Sequence, residues 1–187
     1  MSAAIIALLA ALVNLILDNI KNKRTIEYLE SQSKVNQLMR KCIAETTIDR
    51  FLVLKLTNGA NKLLEDGIPR KYRVSVINEE HKDIHTSVRD LYQLLFVDDF
   101  YQEVVKKSYN LKYYDFITES EKDCDLKTIY IKEGIAQARV YYIHTSNKII
   151  YFCSLSSYNK FNFSKQDEDL ISITISKITE SYITYYK

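Results

Sequence analysis

Asn159-Lys160-Phe161-Asn162-Phe163-Ser164-Lys165-Gln166-Asp167-Glu168-Asp169-Leu170 is the stretch on which the fold turns. Ser164 and Asp167 stand three apart, the spacing of a capping box in which each residue satisfies an amide of the other at a helix start. Asp167, Glu168 and Asp169 add negative charge where the helix dipole is positive. The Ile-rich segment beyond Leu170 holds no Gly or Pro, so a closing helix begins after Ser164.

Working back from this helix, the period changes to that of strands. Lys148–Leu155, Ile135–Ile143 and Leu126–Ile131 read as three β-runs, the first two joined by a His144-Thr145-Ser146-Asn147 turn. Between Ile84 and Tyr109 the spacing is helical through Val88, Leu91, Leu94, Leu95, Phe100 and Val104. Phe51, Val53, Leu54 and Leu56 form a further β-run that ends at the Asn58-Gly59 turn signal, and Lys71–Ile77 returns as its neighbour. The sum is an α+β domain over residues 46–187, with an antiparallel sheet of five or six strands flanked by helices.

This order of elements, with Asn159, Lys160, Phe163, Asp167 and Glu168 at its C-terminal end, resembles the GAF family of sensor domains, and that segment resembles the motif of phosphodiesterase GAF domains. The resemblance implies a Lys160–Asp167 ion pair with Phe163 packed beneath it, supporting a pocket more than touching its ligand. It also implies that Tyr113, Tyr114 and Asp115 lie about where the family lids its pocket. Arg139 and Tyr141 share one face of a strand by period two and complete the pocket candidates. The alternative for these residues is plainer: tyrosines covering the sheet and a surface arginine.

Ahead of the domain, residues 2–17 carry no charge and Ile20 extends the run, so residues 1–20 are expected to form a membrane-anchor helix. Twenty residues rise roughly 30 Å, the thickness of a hydrocarbon core. Lys21, Lys23 and Arg24 follow at once, and positive residues stay inside; the expectation is a single-pass protein with its C-terminal domain in the cytoplasm. Ala3, Ala7, Ala11 and Asn14 make a small-residue stripe suited to self-association in lipid. A soluble or oligomerising helix is the alternative. Residues 21–45 continue as a helical stalk with a short coiled-coil segment, which implies a homodimer or higher homo-oligomer.

Composition removes several functions. Net charge is +2 over 187 residues with both signs interspersed, so there is no phosphate-neutralising stripe and no nucleic-acid partner is expected. Three glycines, Gly59, Gly67 and Gly134, stand apart and cannot build a phosphate-cradling loop. Three widely spaced cysteines form neither a disulfide framework nor a zinc knuckle, and Cys153 reads as a small buried hydrophobe. His81 and His85 stand four apart beside Glu79, Glu80 and Asp83, yet a third ligand is wanting and no metal site is expected. Ser157 and Lys160 make an S-x-x-K without the motifs that accompany it in acyl enzymes. No nucleophile, acid and base set emerges, so the sequence points away from an enzyme. It points to a regulatory module that senses a small molecule or partner and signals through a helical dimer, with its ligand and any cofactor unknown. A scaffold with a degenerate domain is the first alternative; a phage-type pore or lesion protein built on the Ala stripe is the second.

Overall fold

The computed structural model describes residues 3–58, 72–82, 87–93 and 95–185, with side chains from Leu12 onward except that of Asn58. The chain divides into two compact units, residues 1–34 and 35–187. Its elements are α1 (Ala3–Glu45), β1 (Arg50–Asn58), β2 (Tyr72–His81), β3 (Leu95–Phe96), α2 (Asp99–Leu111), β4 (Tyr114–Ile117), α3 (Asp125–Glu133), β5 (Gln137–Ser146), β6 (Ile149–Ser157) and α4 (Lys165–Tyr185).

Six strands form one sheet in the order β3-β2-β1-β6-β5-β4, every pairing antiparallel. Helices cover both faces, which explains why β1 and β6 read as continuous apolar runs rather than alternating ones. On one face Leu52, Leu54 and Leu56 of β1 pack with Val104 and Val105 of α2 and with Leu126 and Tyr130 of α3. On the other, Phe51 and Val53 of β1 with Cys153 and Leu155 of β6 meet Val35, Met39, Cys42 and Ile43 of α1 and Ile171, Ile175 and Ile178 of α4. Each such side chain contributes about 1.5–3 kcal/mol by leaving water. Residues 35–43 of α1, assigned to the stalk from sequence, are thus part of the domain core. A polar tie accompanies them: Asn78 of β2 donates to Asn36 (2.8 Å) and accepts from the Tyr182 hydroxyl (3.0 Å).

Three sequence expectations change. The run Leu126–Ile131 is helical, within α3: Cys124 caps its start, accepting from the Lys127 amide at 3.3 Å, and Gly134 closes it at φ +70°. Leu126 and Tyr130, four apart, are its buried stripe. Second, the segment expected to be helical from Ile84 to Tyr109 contains a turn at 89–93 and the short strand β3, and its helix begins only at Asp99. Third, β4 lies where no strand was expected, and with β3 it brings the sheet to six.

The N-terminal unit requires the largest correction. Among the described residues no helix is long and apolar enough to cross a membrane, so the single-pass placement with a cytoplasmic domain is not supported. α1 starts at Ala3 and carries Asn14 within its apolar run and Asp18, Lys21, Lys23 and Arg24 directly after Leu17. A span of about 20 residues from that start would have to take in Asp18 and Lys21. The side chains of Ala3, Ala7 and Ala11 lie outside those described; Asn14 is exposed. The pore reading depended on that span. What the described part shows is an α-helix with exposed Leu12, Leu15, Ile26 and Leu29 and one i,i+4 pair, Lys23–Glu27 at 3.9 Å.

Candidate functional site

A cavity of about 520 Å³ lies between α2 and the sheet. Its floor is Leu56 of β1, Tyr72 of β2, Ile150 of β6, and Tyr142 and Thr145 of β5; its wall is Gln102, Val105, Lys106 and Tyr109 of α2. The four wall residues have i, i+3, i+4, i+7 spacing, one face of a helix. Asp98 fixes the start of that helix, accepting from the Tyr101 amide at 2.7 Å. The other oxygen of Asp98 accepts from the Asp125 amide at 2.9 Å, so the same carboxylate tethers α3.

A bulge places the floor. The β5–β6 register shifts between Tyr142 and His144, and without it residues three apart would face opposite sides of the sheet. With it, Tyr142 and Thr145 both face the cavity, and the Tyr142 hydroxyl donates to Thr145 Oγ1 at 3.0 Å. Tyr109 meets the Tyr142 ring edge-on at 4.9 Å. Lys106 is the one charged residue in the described lining, so the cavity is apolar and aromatic with a cation at its margin.

The pocket candidates from sequence divide between the two faces of the sheet and line no part of this cavity. Arg139, buried, donates from Nε and Nη2 to both oxygens of Asp115 (2.6 and 2.9 Å) and from Nη1 to Glu168 (2.7 and 2.9 Å). Its guanidinium lies 4.1 Å from the centre of the Tyr113 ring and 5.1 Å from that of Phe163, and Tyr113 packs on Tyr141. Burial opposes the Arg139 charge, yet Asp115 and Glu168 outweigh it and raise its pKa. Burial also pushes the Tyr141 phenol up to about 12. Tyr114 points the other way: its hydroxyl donates to Glu121 at 2.9 Å, and Lys107 lies over its ring.

In the C-terminal segment the capping box forms as read. The Ser164 amide donates to Asp167 Oδ2 at 2.8 Å, and the Asp167 amide returns to Ser164 Oγ at 3.2 Å. The Lys160–Asp167 pair does not form; Lys160 meets Glu119 at 3.1 Å on the surface. Phe163 stacks on Phe161 at the edge of the α4-side core, Glu168 serves Arg139, and Asn159 turns its amide to Ser157 Oγ.

Other chemical candidates are committed to structure. Burial lifts the Cys42 thiol to about 11 and that of Cys153 well above its ordinary value, which suits packing rather than nucleophilic attack. His81 contacts Glu79 at 2.7 Å; Asp83 and His85 lie outside the described residues. Inside the domain a polar group escaped the sequence reading: Arg50, whose Nε donates to Ser156 (3.1 Å) and Nη1 to Glu133 (2.7 Å). Burial works against its charge, and the nearby Tyr92 and Glu133 restore it.

No family model and no curated protein matches the sequence. Solved structures share its fold. The GAF domain of a two-component sensor histidine kinase from Bacillus halodurans superposes with a TM-score of 0.55 at 12% identity, covering 80% of this chain and 91% of that one. A GAF domain/HD domain protein from Geobacter sulfurreducens gives 0.56 at 9%, covering 82% and 94%. A far-red cyanobacteriochrome photoreceptor gives 0.60 at 10%, covering 96% and 100%. At such identities it is the architecture that is shared. Six antiparallel strands between the α1/α4 and α2/α3 layers, with matches across most of each chain, make this a chain with the GAF fold.

Proposed function

We propose that the chain is a regulatory binding module: its domain takes a small molecule in the cavity between α2 and the sheet, and catalyses nothing. The observation that carries this is the cavity itself, about 520 Å³ with an aromatic and aliphatic lining and Lys106 at the margin. Its volume falls in the range of small-molecule sites. A flat, largely apolar ligand bearing an acidic group fits that lining, the rings meeting Tyr109 and Tyr142 and the acid meeting Lys106. The reading is in keeping with the sensor kinase domain among its structural neighbours. The signal would pass to a second copy through α1, whose Ile26 and Leu29 are exposed apolar side chains in register for a helical partner. Thermal melts of the full chain against aromatic acids, cyclic nucleotides, amino acids and tetrapyrroles test it. A true ligand at a hundred times its Kd adds about 2.7 kcal/mol of stability. The Lys106→Glu variant should lose that gain for an acidic ligand.

A scaffold is the second reading, favoured by the filled interior beside the cavity. Phe100 meets Phe116 and Phe116 meets Tyr130, with ring centres 6.3 and 5.2 Å apart, in the core over the sheet. A panel in which no compound shifts the melt supports this reading.

A further inference from the structure

We propose that Arg50, Tyr92 and Glu133 form an interior receptor for a small uncharged guest that both accepts and donates hydrogen bonds, of the chemistry shared by water and a primary carboxamide. The three residues come from the start of β1, the turn at 89–93 and the end of α3. Arg50 is 2% exposed and Tyr92 1%. Arg50 Nη2, the Tyr92 hydroxyl and Glu133 Oε1 are each closed to solvent and have no hydrogen-bond partner among the described residues. Native proteins pair nearly all such atoms, because a buried polar group without a partner bears its full desolvation penalty. Three at one place, within electrostatic reach of one another, describe a binding surface rather than a packing fault.

The walls set the chemistry. Arg50 and Glu133 are paired at 2.7 Å, so the site is neutral as a whole. An anion would meet the free oxygen of Glu133, and a cation would meet the free nitrogen of Arg50. A neutral guest satisfies all three, its oxygen accepting from Arg50 and Tyr92 and its O–H or N–H donating to Glu133. Tyr101 and Tyr130, both buried, lie within electrostatic reach of Arg50 and Glu133. The site is separate from the cavity under α2. Arg50 and Leu56 are six residues apart on β1, roughly 20 Å at strand rise.

The test is the sign of one substitution together with two measurements on the wild-type chain. Tyr92→Phe deletes the hydroxyl and keeps the ring. With a guest bound to that hydroxyl the melting temperature falls; a hydroxyl without a partner gives an unchanged or higher value. In the wild-type chain, water–protein NMR cross-relaxation at the Tyr92 hydroxyl identifies water as the guest. A saturable rise in melting temperature on titration with acetamide identifies a carboxamide, and Tyr92→Phe abolishes that rise. An unchanged or raised melting temperature in Tyr92→Phe overturns the proposal, as does the absence of both the water and the acetamide signal. Should the variant not fold, the two wild-type measurements decide alone.

Discussion

Replacing Arg139 by Ala removes a side chain that holds three elements at once. From β5 it makes two bonds to Asp115, its cross-strand partner on β4, and two to Glu168 in the first turn of α4. Breaking a buried ion pair from one side costs about 3–5 kcal/mol, because the remaining charges are stranded. Here the stranded groups retain water, with side chains 31% exposed at Asp115 and 42% at Glu168, which lowers the expectation to about 2–4 kcal/mol. Loss of the contacts to the Tyr113 and Phe163 rings is included in that figure. For a chain of this size the loss corresponds to a fall in Tm of roughly 5–15 °C. Urea unfolding followed by circular dichroism measures it, and a double-mutant cycle with Glu168→Gln isolates the α4 contact, expected to couple by more than about 0.5 kcal/mol. Ligand-induced shifts in the melt should survive in Arg139→Ala, since its guanidinium is spent on carboxylates away from the cavity. A destabilisation below about 0.5 kcal/mol, the size of an ordinary surface change, would refute the reasoning.

Asp167→Ala should destabilise by about 0.5–2 kcal/mol through loss of the reciprocal cap with Ser164, whereas Lys160→Ala should stay within about 0.5 kcal/mol, its pair with Glu119 being exposed. The Lys160/Asp167 cycle should be additive, and coupling above about 0.5 kcal/mol would show that the two residues pair after all. Alkali should unfold the domain through its tyrosines. Burial raises Tyr114 and Tyr141 to about 12 and moves Tyr92, Tyr101 and Tyr130 the same way. Folding favours the neutral phenol, so this stability is complete below the unfolded value of about 10 and is lost as pH rises from there toward about 12. Urea midpoints should drop across that window with tyrosinate absorbance rising at unfolding; phenols that titrate near their ordinary value without loss of structure would refute it.

The parts of the fold that were legible in the sequence are those where local chemistry and tertiary position agree. The Ser164–Asp167 cap follows from spacing, and β1, β2, β5 and β6 from their apolar runs. The β5–β6 hairpin, however, turns at Asn147 and Lys148, both at positive φ, while His144, Thr145 and Ser146, expected in its turn, belong to β5. Gly59 of the other turn signal lies outside the described residues. Segment 126–131 misled because Ile129 and Ile131 favour strand locally, while the signals that settle it are a cysteine cap and Gly134, whose positive φ ends the helix. Strands β3 and β4, of two and four residues, are too short to show a period. The cavity wall could have been found: Gln102, Val105, Lys106 and Tyr109 carry helical spacing in plain view. Its floor could not, because Tyr142 and Thr145 share a face only through a bulge. Arg139 and Asp115 were singled out for their chemistry, and the chemistry is real; the structure directs it to β4 and α4. The Arg50 group was invisible, since its members lie 42 and 41 residues apart and meet only in the fold.

The central claim, that the cavity between α2 and the sheet is where this domain takes its ligand, is tested most directly by mapping amide chemical shifts in the full chain during titration with the compound that most raises its melting temperature. The account predicts saturable shifts concentrated at Gln102–Tyr109 of α2 and at Tyr142, Thr145 and Ile150 across the β5–β6 hairpin. Shifts centred instead on Asp115, Arg139 and the Asn159–Glu168 segment, or no saturable shift for any compound in the panel, would contradict it.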